Sequence, residues 1–200
     1  MPSKVYSAAV VGVEAFEVEI EVHAGWGNTD KIAVVGLPDT AVKESKDRVT
    51  SAISNSAFRW PYGKRITINL APADVRKEGP SFDLPIALGM LKLEENNRLP
   101  VLDAFCITGE LALSGQLRPV KGVLSIALEA KRRGRQTLIV PLENDRAFGK
   151  CRRSCRSGRS RCLRGVFALA GCSFSAGRHR PGPGAIHEWL ARGRTSRTGS

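Results

Sequence analysis

An α/β fold of the mixed, α+β kind is predicted for residues 1–147, and three observations predict it. Phe16, Val18, Ile20 and Val22 alternate with Glu17, Glu19, Glu21 and His23, the period of a strand with one buried and one wet face. Beyond Asp39 the apolar residues fall at helical spacing instead, with Val42, Val49, Ala52, Ile53 and Ala57 on one face. Strand-like and helix-like segments then interleave as far as Pro141, with enough apolar residues between 4 and 141 for one core.

The elements follow in order. Lys4 to Val11 is a strand that turns through Gly12 into the alternating segment 14–23, whose glutamates and His23 read as a solvated face. Ile32 to Val35 is a third strand, stopped by Gly36-Leu37-Pro38. Asp39 then supplies a side-chain oxygen for the first free amides of a helix. Lys43, Glu44, Lys46, Asp47 and Arg48 lie mostly on that helix's outer face. Trp60-Pro61-Tyr62-Gly63 is a turn, and Ile66, Ile68 and Leu70 mark a strand that ends at Pro72. Ser81 or Phe82 opens a second helix, with Asp83 near its positive end and Pro85 in its first turn. Ala104 to Leu113 reads as one strand, Ser114-Gly115 as a tight turn into 116–119, and Gly122 to Arg133 as a third helix stopped at Gly134. Thr137 to Val140 is the last strand.

Composition sets limits on function. The chain is 42% hydrophobic and 25% charged, which is globular rather than disordered. Its longest apolar run, Leu84 to Leu91, is too short to span a bilayer, and no apolar leader follows Met1. No membrane association and a cytoplasmic location are expected. The net charge of +12 invites a nucleic-acid reading, but 12 of the 31 Lys and Arg and only one of the 19 Asp and Glu lie in residues 148–200. That segment carries +11 and the body +1. Four of the five cysteines are in the segment as well, leaving Cys106 alone in the body, as suits a reduced compartment.

No Gly-x4-Gly-Lys-Ser/Thr phosphate loop, HExxH, CxxC pair or GxSxG is present. No cofactor or metal is therefore expected for these residues. The informative stretches are Tyr6-Ser7-Ala8-Ala9, Val34-Val35-Gly36-Leu37-Pro38-Asp39, Val42-Lys43-Glu44-Ser45, the run from Asn69 to Gly89 and the run from Thr108 to Gly122. In that order they resemble the N-terminal domain of the magnesium-chelatase-like AAA+ ATPases of the ComM/YifB type, over about residues 4–145. The resemblance implies the ribosomal-protein-S5-domain-2-like fold, a mixed sheet with helices packed on it, shared with the Lon protease domain. It also implies an ATPase module elsewhere in the intact protein, which would bind ATP and Mg²⁺. It further implies homo-oligomeric rings, hexamers in the family, that move DNA branch points during recombination. The chain by itself is expected to be no enzyme.

The Lon likeness raises an alternative, a Ser-Lys peptidase. Glu78-Gly79-Pro80-Ser81 resembles the motif of the Lon nucleophile, which places Ser81 at the nucleophile's position. The resemblance puts the matching base at Ile126, which cannot accept a proton, and Lys121 falls five residues too early. Ser81 is accordingly expected to be an N-cap. A second alternative is a stand-alone basic DNA-binding protein. Lys64, Arg65, Arg76, Lys77, Arg118 and Lys121 sit near turns and are the candidate contacts to DNA or a partner, while Lys131-Arg132-Arg133 suits a helix C-terminus.

Residues 148–200 are a different kind of sequence, with 11 Arg, 9 Gly and 7 Ser. This composition is that of G+C-rich DNA translated out of frame. The resemblance is expected to stop near Asp145–Ala147 at a frameshift, leaving a truncated protein with a disordered or non-native tail. Cys151, Cys155, Cys162, Cys172, His179 and His187 lack the paired short spacings of a zinc site.

Overall fold

A computed structural model of the chain describes residues 2–26, 31–56, 58–94, 99 and 102–144. Among these, six strands form one sheet in the order β3-β4-β2-β1-β5-β8, where β1 is Ser3–Val11, β2 Glu14–Trp26, β3 Ile32–Val35, β4 Lys64–Ala71, β5 Phe105–Ile107 and β8 Thr137–Ile139. The fold class is α/β, as the sequence predicts. β2 pairs antiparallel with β1 and β4, and every other pairing is parallel, so β2 alone runs against its neighbours. The carboxyl ends of the other five strands share one edge of the molecule.

Three helices cover the sheet. α1 (Thr40–Asn55) starts where Asp39 Oδ1 accepts the Val42 amide at 2.7 Å, the cap the sequence calls for. α1 and α2 (Asp83–Leu91) bury Val42, Val49, Ile53, Ile86 and Met90 against Val18, Ile20, Ile66, Ile68 and Leu70. α3 (Val123–Arg132) packs Val123, Ile126 and Ala130 on Ala8, Cys106 and Leu138, which point out of the other face of the sheet. Gly36, just past β3, has φ +96°, and a side chain there would collide with the Leu70 carbonyl. The strand exit can thus lie directly on β4.

Four details differ from the sequence reading. The segment expected as one strand over 104–113 is two. β5 ends at Ile107, and the chain turns at Thr108 and Gly109 because the Gly109 amide is taken by the Ser81 carbonyl at 2.9 Å. It continues as a small hairpin, β6 (Glu110–Leu111) with β7 (Leu117–Arg118), against α1 and α2. Second, α2 begins at Asp83 after a 3-10 turn at Pro80–Phe82, and no side chain caps either element. Ser81 is therefore not an N-cap. It lies inside the tight turn, offering its carbonyl rather than its hydroxyl. Third, the glutamate face of β2 is not simply solvated. Cross-strand pairing aligns Glu17, Glu19 and Glu21 with Ala8, Tyr6 and Lys4, on the α3 side. Fourth, Arg48 does not stay on the outer face of α1 but reaches inward to Asp83. Residues 145–200, with the tail's cysteines and histidines, lie outside the described residues.

The two parallel crossovers, β3-α1-β4 and β5-α3-β8, step the same way across the sheet but use opposite faces. They must therefore be of opposite hand. The Ile66 amide points at the β3 side, to the Lys31 carbonyl at 2.9 Å, while its side chain enters the α1 core. For an L residue in an upward strand this puts β3 on the right as seen from α1. The step to β4 is then leftward, and β3-α1-β4 is the left-handed crossover.

Candidate functional site

The carboxyl edge of the parallel strands gathers the motif residues. From β3 comes Asp39, whose Oδ2 accepts the Gly79 amide at 3.0 Å. Pro38 and Lys77 form an isolated parallel bridge. From the end of β5, Thr108 Oγ1 donates to the Ser81 carbonyl at 3.1 Å, and the Leu84 amide donates to the Gly109 carbonyl at 3.0 Å. Residues 79–84 are thereby tied to two strand exits at once. This accounts for the motif's Gly and Pro: Gly79 adopts φ +80° and Pro80 opens the 3-10 turn.

Ser81 stands at this edge, but the base expected of a dyad does not. Ile126 is 1% exposed and belongs to the core under α3. Lys121 is exposed and no hydrogen bond joins it to Ser81 among the described residues. Lys77 is wholly buried, and its amine donates to the Pro72 carbonyl. Burial holds its pKa below the ordinary lysine value.

The sequence does not disclose the partners of Asp83, a carboxylate read there only as a helix-start charge. Asp83 is 0% exposed. Its Oδ1 accepts from Ser45 Oγ at 2.5 Å and Arg48 Nη2 at 3.0 Å, and its Oδ2 from Arg48 Nε at 2.7 Å and the Leu111 amide at 3.2 Å. One carboxylate thus joins α1, α2 and the β6-β7 hairpin. The hydrogen bond to Asp83 raises the Arg48 pKa further above its ordinary value. A signal was present: Asp83 is the one charge in the run from Phe82 to Met90, and a charge in an apolar run needs a partner.

The six basic candidates do not form one patch. Lys64 and Arg65 start β4, whereas Arg76, Lys77, Arg118 and Lys121 lie toward the carboxyl edge, about 25 Å away along an eight-residue strand. Lys64 pairs with Glu94 at 2.6 Å, Arg76 with Glu78 at 3.4 Å and Arg118 with Glu110 at 3.3 Å. Lys77 does not reach outward as the turn composition suggests, because its side chain folds under the 72–77 loop. Arg65 and Lys121 are exposed without an ion pair among the described residues.

On the α3 face, Arg135 clamps Glu17 through Nε at 2.7 Å and Nη2 at 2.8 Å while lying 3.5 Å from the Tyr6 ring centre. Glu129 is buried. Its burial acts to raise its pKa, but hydrogen bonds from Arg132 and Arg133 outweigh this and lower it. Glu19 and Glu21 hold Lys4, and Asn69 with Lys4 lowers the Glu21 pKa. These carboxylates are spent on cations, and no group of three metal-ligating side chains occurs among the described residues. The donor set does not fit a Mg²⁺ site. Burial pushes the Cys106 thiol up to about 12, far from a reactive thiolate.

Residues 18–144 match the family described as subunit ChlI of Mg-chelatase, well over half of the chain. The chain belongs to the ChlI family. Within it, the chain is 44% identical to YifB of Escherichia coli over 184 residues, 90% of this chain and 35% of that protein. It is 49% identical to the competence protein ComM of Haemophilus influenzae over 135 residues, 68% of this chain and 26% of that protein. A weaker likeness, 27% over 141 residues, joins it to the Lon protease of Brevibacillus choshinensis, covering 68% of this chain and 18% of that one. The chain spans about a third of the length of its YifB relative and about a quarter of that of ComM. The ChlI match ends at residue 144, whereas the YifB match covers 90% of the chain and so runs past residue 147. Among the described residues no helix is long and apolar enough to cross a membrane.

Proposed function

We propose that the chain supplies the non-catalytic N-terminal domain of a ComM/YifB-type, magnesium-chelatase-like ATPase of the cytoplasm. Its role is in DNA processing, in branch migration during recombination and natural transformation. The observation that supports this most directly is the ChlI match over residues 18–144, which takes in the three helices and all of the sheet but β1 and the start of β2. ATP and Mg²⁺ are assigned to a module outside these 200 residues, and the domain's part is assembly into a homo-oligomer and contact with DNA.

Arg76, Arg118 and Lys121 are the favoured phosphate contacts because they share one edge of the sheet. Such contacts are independent of base sequence and sensitive to salt. The test is a salt series of duplex binding. Glutamate at Arg76, Arg118 and Lys121 together is expected to flatten the slope of log K against log salt, and glutamate at Lys64 and Arg65 to leave it nearly unchanged. Equal effects of the two sets would overturn the assignment. The parent chain is also expected to give no saturable ATP binding in calorimetry and no casein cleavage. Cleavage that vanishes in Ser81→Ala would favour the Lon-like peptidase reading instead.

A further inference from the structure

The outward face of α3 carries two leucines that the fold does not use. Val123, Ile126 and Ala130 fill the core, while Leu124 and Leu128, one turn apart, are 54% and 62% exposed. A helix packed on a sheet needs only one apolar stripe, so a second one facing water marks a surface waiting for cover. Beside it, Ser125 Oγ donates to the Val13 carbonyl at 2.7 Å, and Val13, at the tip of the β1-β2 hairpin, is 87% exposed. The tip of the hairpin therefore lies beside the first turn of the helix.

The charges around the strip say what covers it. Lys121 lies two residues before α3, just ahead of its first residues, and Lys131 follows Leu128 by three within the helix. Both are exposed and neither is ion-paired among the described residues. A second copy laid antiparallel would oppose Lys121 to Lys131 of its mate at both ends. A parallel copy would oppose each lysine to itself. Either way like charges meet, which disfavours self-pairing. A partner with carboxylates at both ends is attracted at both.

We propose that the Leu124–Leu128 face of α3 is a docking surface for an acidic amphipathic helix, one that presents an i, i+4 pair of aliphatic side chains bracketed by Asp or Glu. This is a protein-docking site that shares only Lys121 with the proposed DNA contacts, and it stands whether or not the ATPase-domain reading holds. The aliphatic pair sits against Leu124, Leu128 and Val13, and the bracketing carboxylates meet Lys121 and Lys131.

The test titrates the full chain with a labelled helical peptide of alanines carrying one Leu i, i+4 pair with glutamates at either end, read by fluorescence anisotropy. Saturable binding is expected. It should weaken about tenfold or more in Leu124→Ser with Leu128→Ser, and again in Lys121→Glu with Lys131→Glu. Leu113→Ser, an exposed leucine elsewhere, should bind as the parent does. Because Leu124, Leu128, Lys121 and Lys131 are all exposed, thermal melts should show the variants folded. The same peptide with lysines for glutamates should fail to bind. The proposal is overturned if both peptides bind alike, or if neither double variant weakens binding. It is overturned too if the leucine variant changes the sedimenting mass of the chain itself, which would make the occupant a second copy. Binding to phosphatidylserine vesicles in place of the peptide would identify a membrane surface and also overturn it.

Discussion

On the face covered by α1 and α2, a single carboxylate, Asp83, is wholly dry and holds one guanidinium, one hydroxyl and one amide. On the face covered by α3, Glu17, Glu19, Glu21 and Glu129 share Lys4, Arg132, Arg133 and Arg135, and most of these groups keep some contact with water. Both faces satisfy their polar groups, but they differ in what happens when one partner is lost. A dry carboxylate has no substitute donor, and a removed one strands its partners. A half-wet pair can turn to solvent. The difference teaches that the number of ion pairs is a poor guide to where stability is concentrated.

The sharpest way to break this comparison is at Asp83. Asp83→Ala leaves Arg48 without its carboxylate and the Leu111 amide without an acceptor, and should cost about 3 kcal/mol or more in urea melts. Asp83→Asn keeps the shape and one acceptor and should cost less. Removing Arg135 attacks the other face. Arg135→Ala should cost about 1.5 kcal/mol, since it loses a bidentate bond to Glu17 and the contact with Tyr6. The Glu17→Ala, Arg135→Ala cycle should show coupling that shrinks in high salt. If Arg135→Ala proved as costly as Asp83→Ala, the contrast between the faces would be wrong.

Lys77 sharpens the comparison through pH. Its folded pKa lies below the ordinary lysine value near 10.4 because the amine is buried. Between those two values the unfolded chain binds more protons than the folded one, so stability should rise as the pH climbs toward the ordinary lysine value. Lys77→Met should abolish that rise in melts taken across the range. The smallest effect is expected at Ser81. With no capping bond to lose, Ser81→Ala should change stability by less than about 0.5 kcal/mol. A loss near 1 kcal/mol in thermal melts would restore the capping role that the sequence suggests.

Much of the fold was legible because local signals were strong. The alternation through Phe16, Val18, Ile20 and Val22 and the Asp39 cap both appear where the residues place them. The break at Thr108–Gly109 was not legible, since it depends on a carbonyl 27 residues earlier in the chain. The candidate site was read less well for the same reason. A turn-rich stretch reads Lys77 as a cation reaching outward, and only the Pro72 carbonyl of the returning loop draws its amine inside. Asp83 was recognised as a helix-start carboxylate, but its partners lie 35 and 38 residues away on α1. Periodicity reports which side of an element is buried, not which distant group will meet it there.

The left-handed β3-α1-β4 crossover has a kinetic consequence. Strand twist favours the right-handed form in about 98% of such units, so this one is held against its own local preference. The segment 31–71 should therefore have no independent tendency to assemble. Its order must come from β2, which pairs with β4 over eight residues, and β2 is itself fixed by the nine-residue hairpin pairing with β1. The hairpin is local in sequence and central in the sheet, which makes it the natural nucleus, with α1 and its flanking strands condensing on it late. Destabilising substitutions in β1 and β2 should then slow folding, while those in α1 should chiefly hasten unfolding.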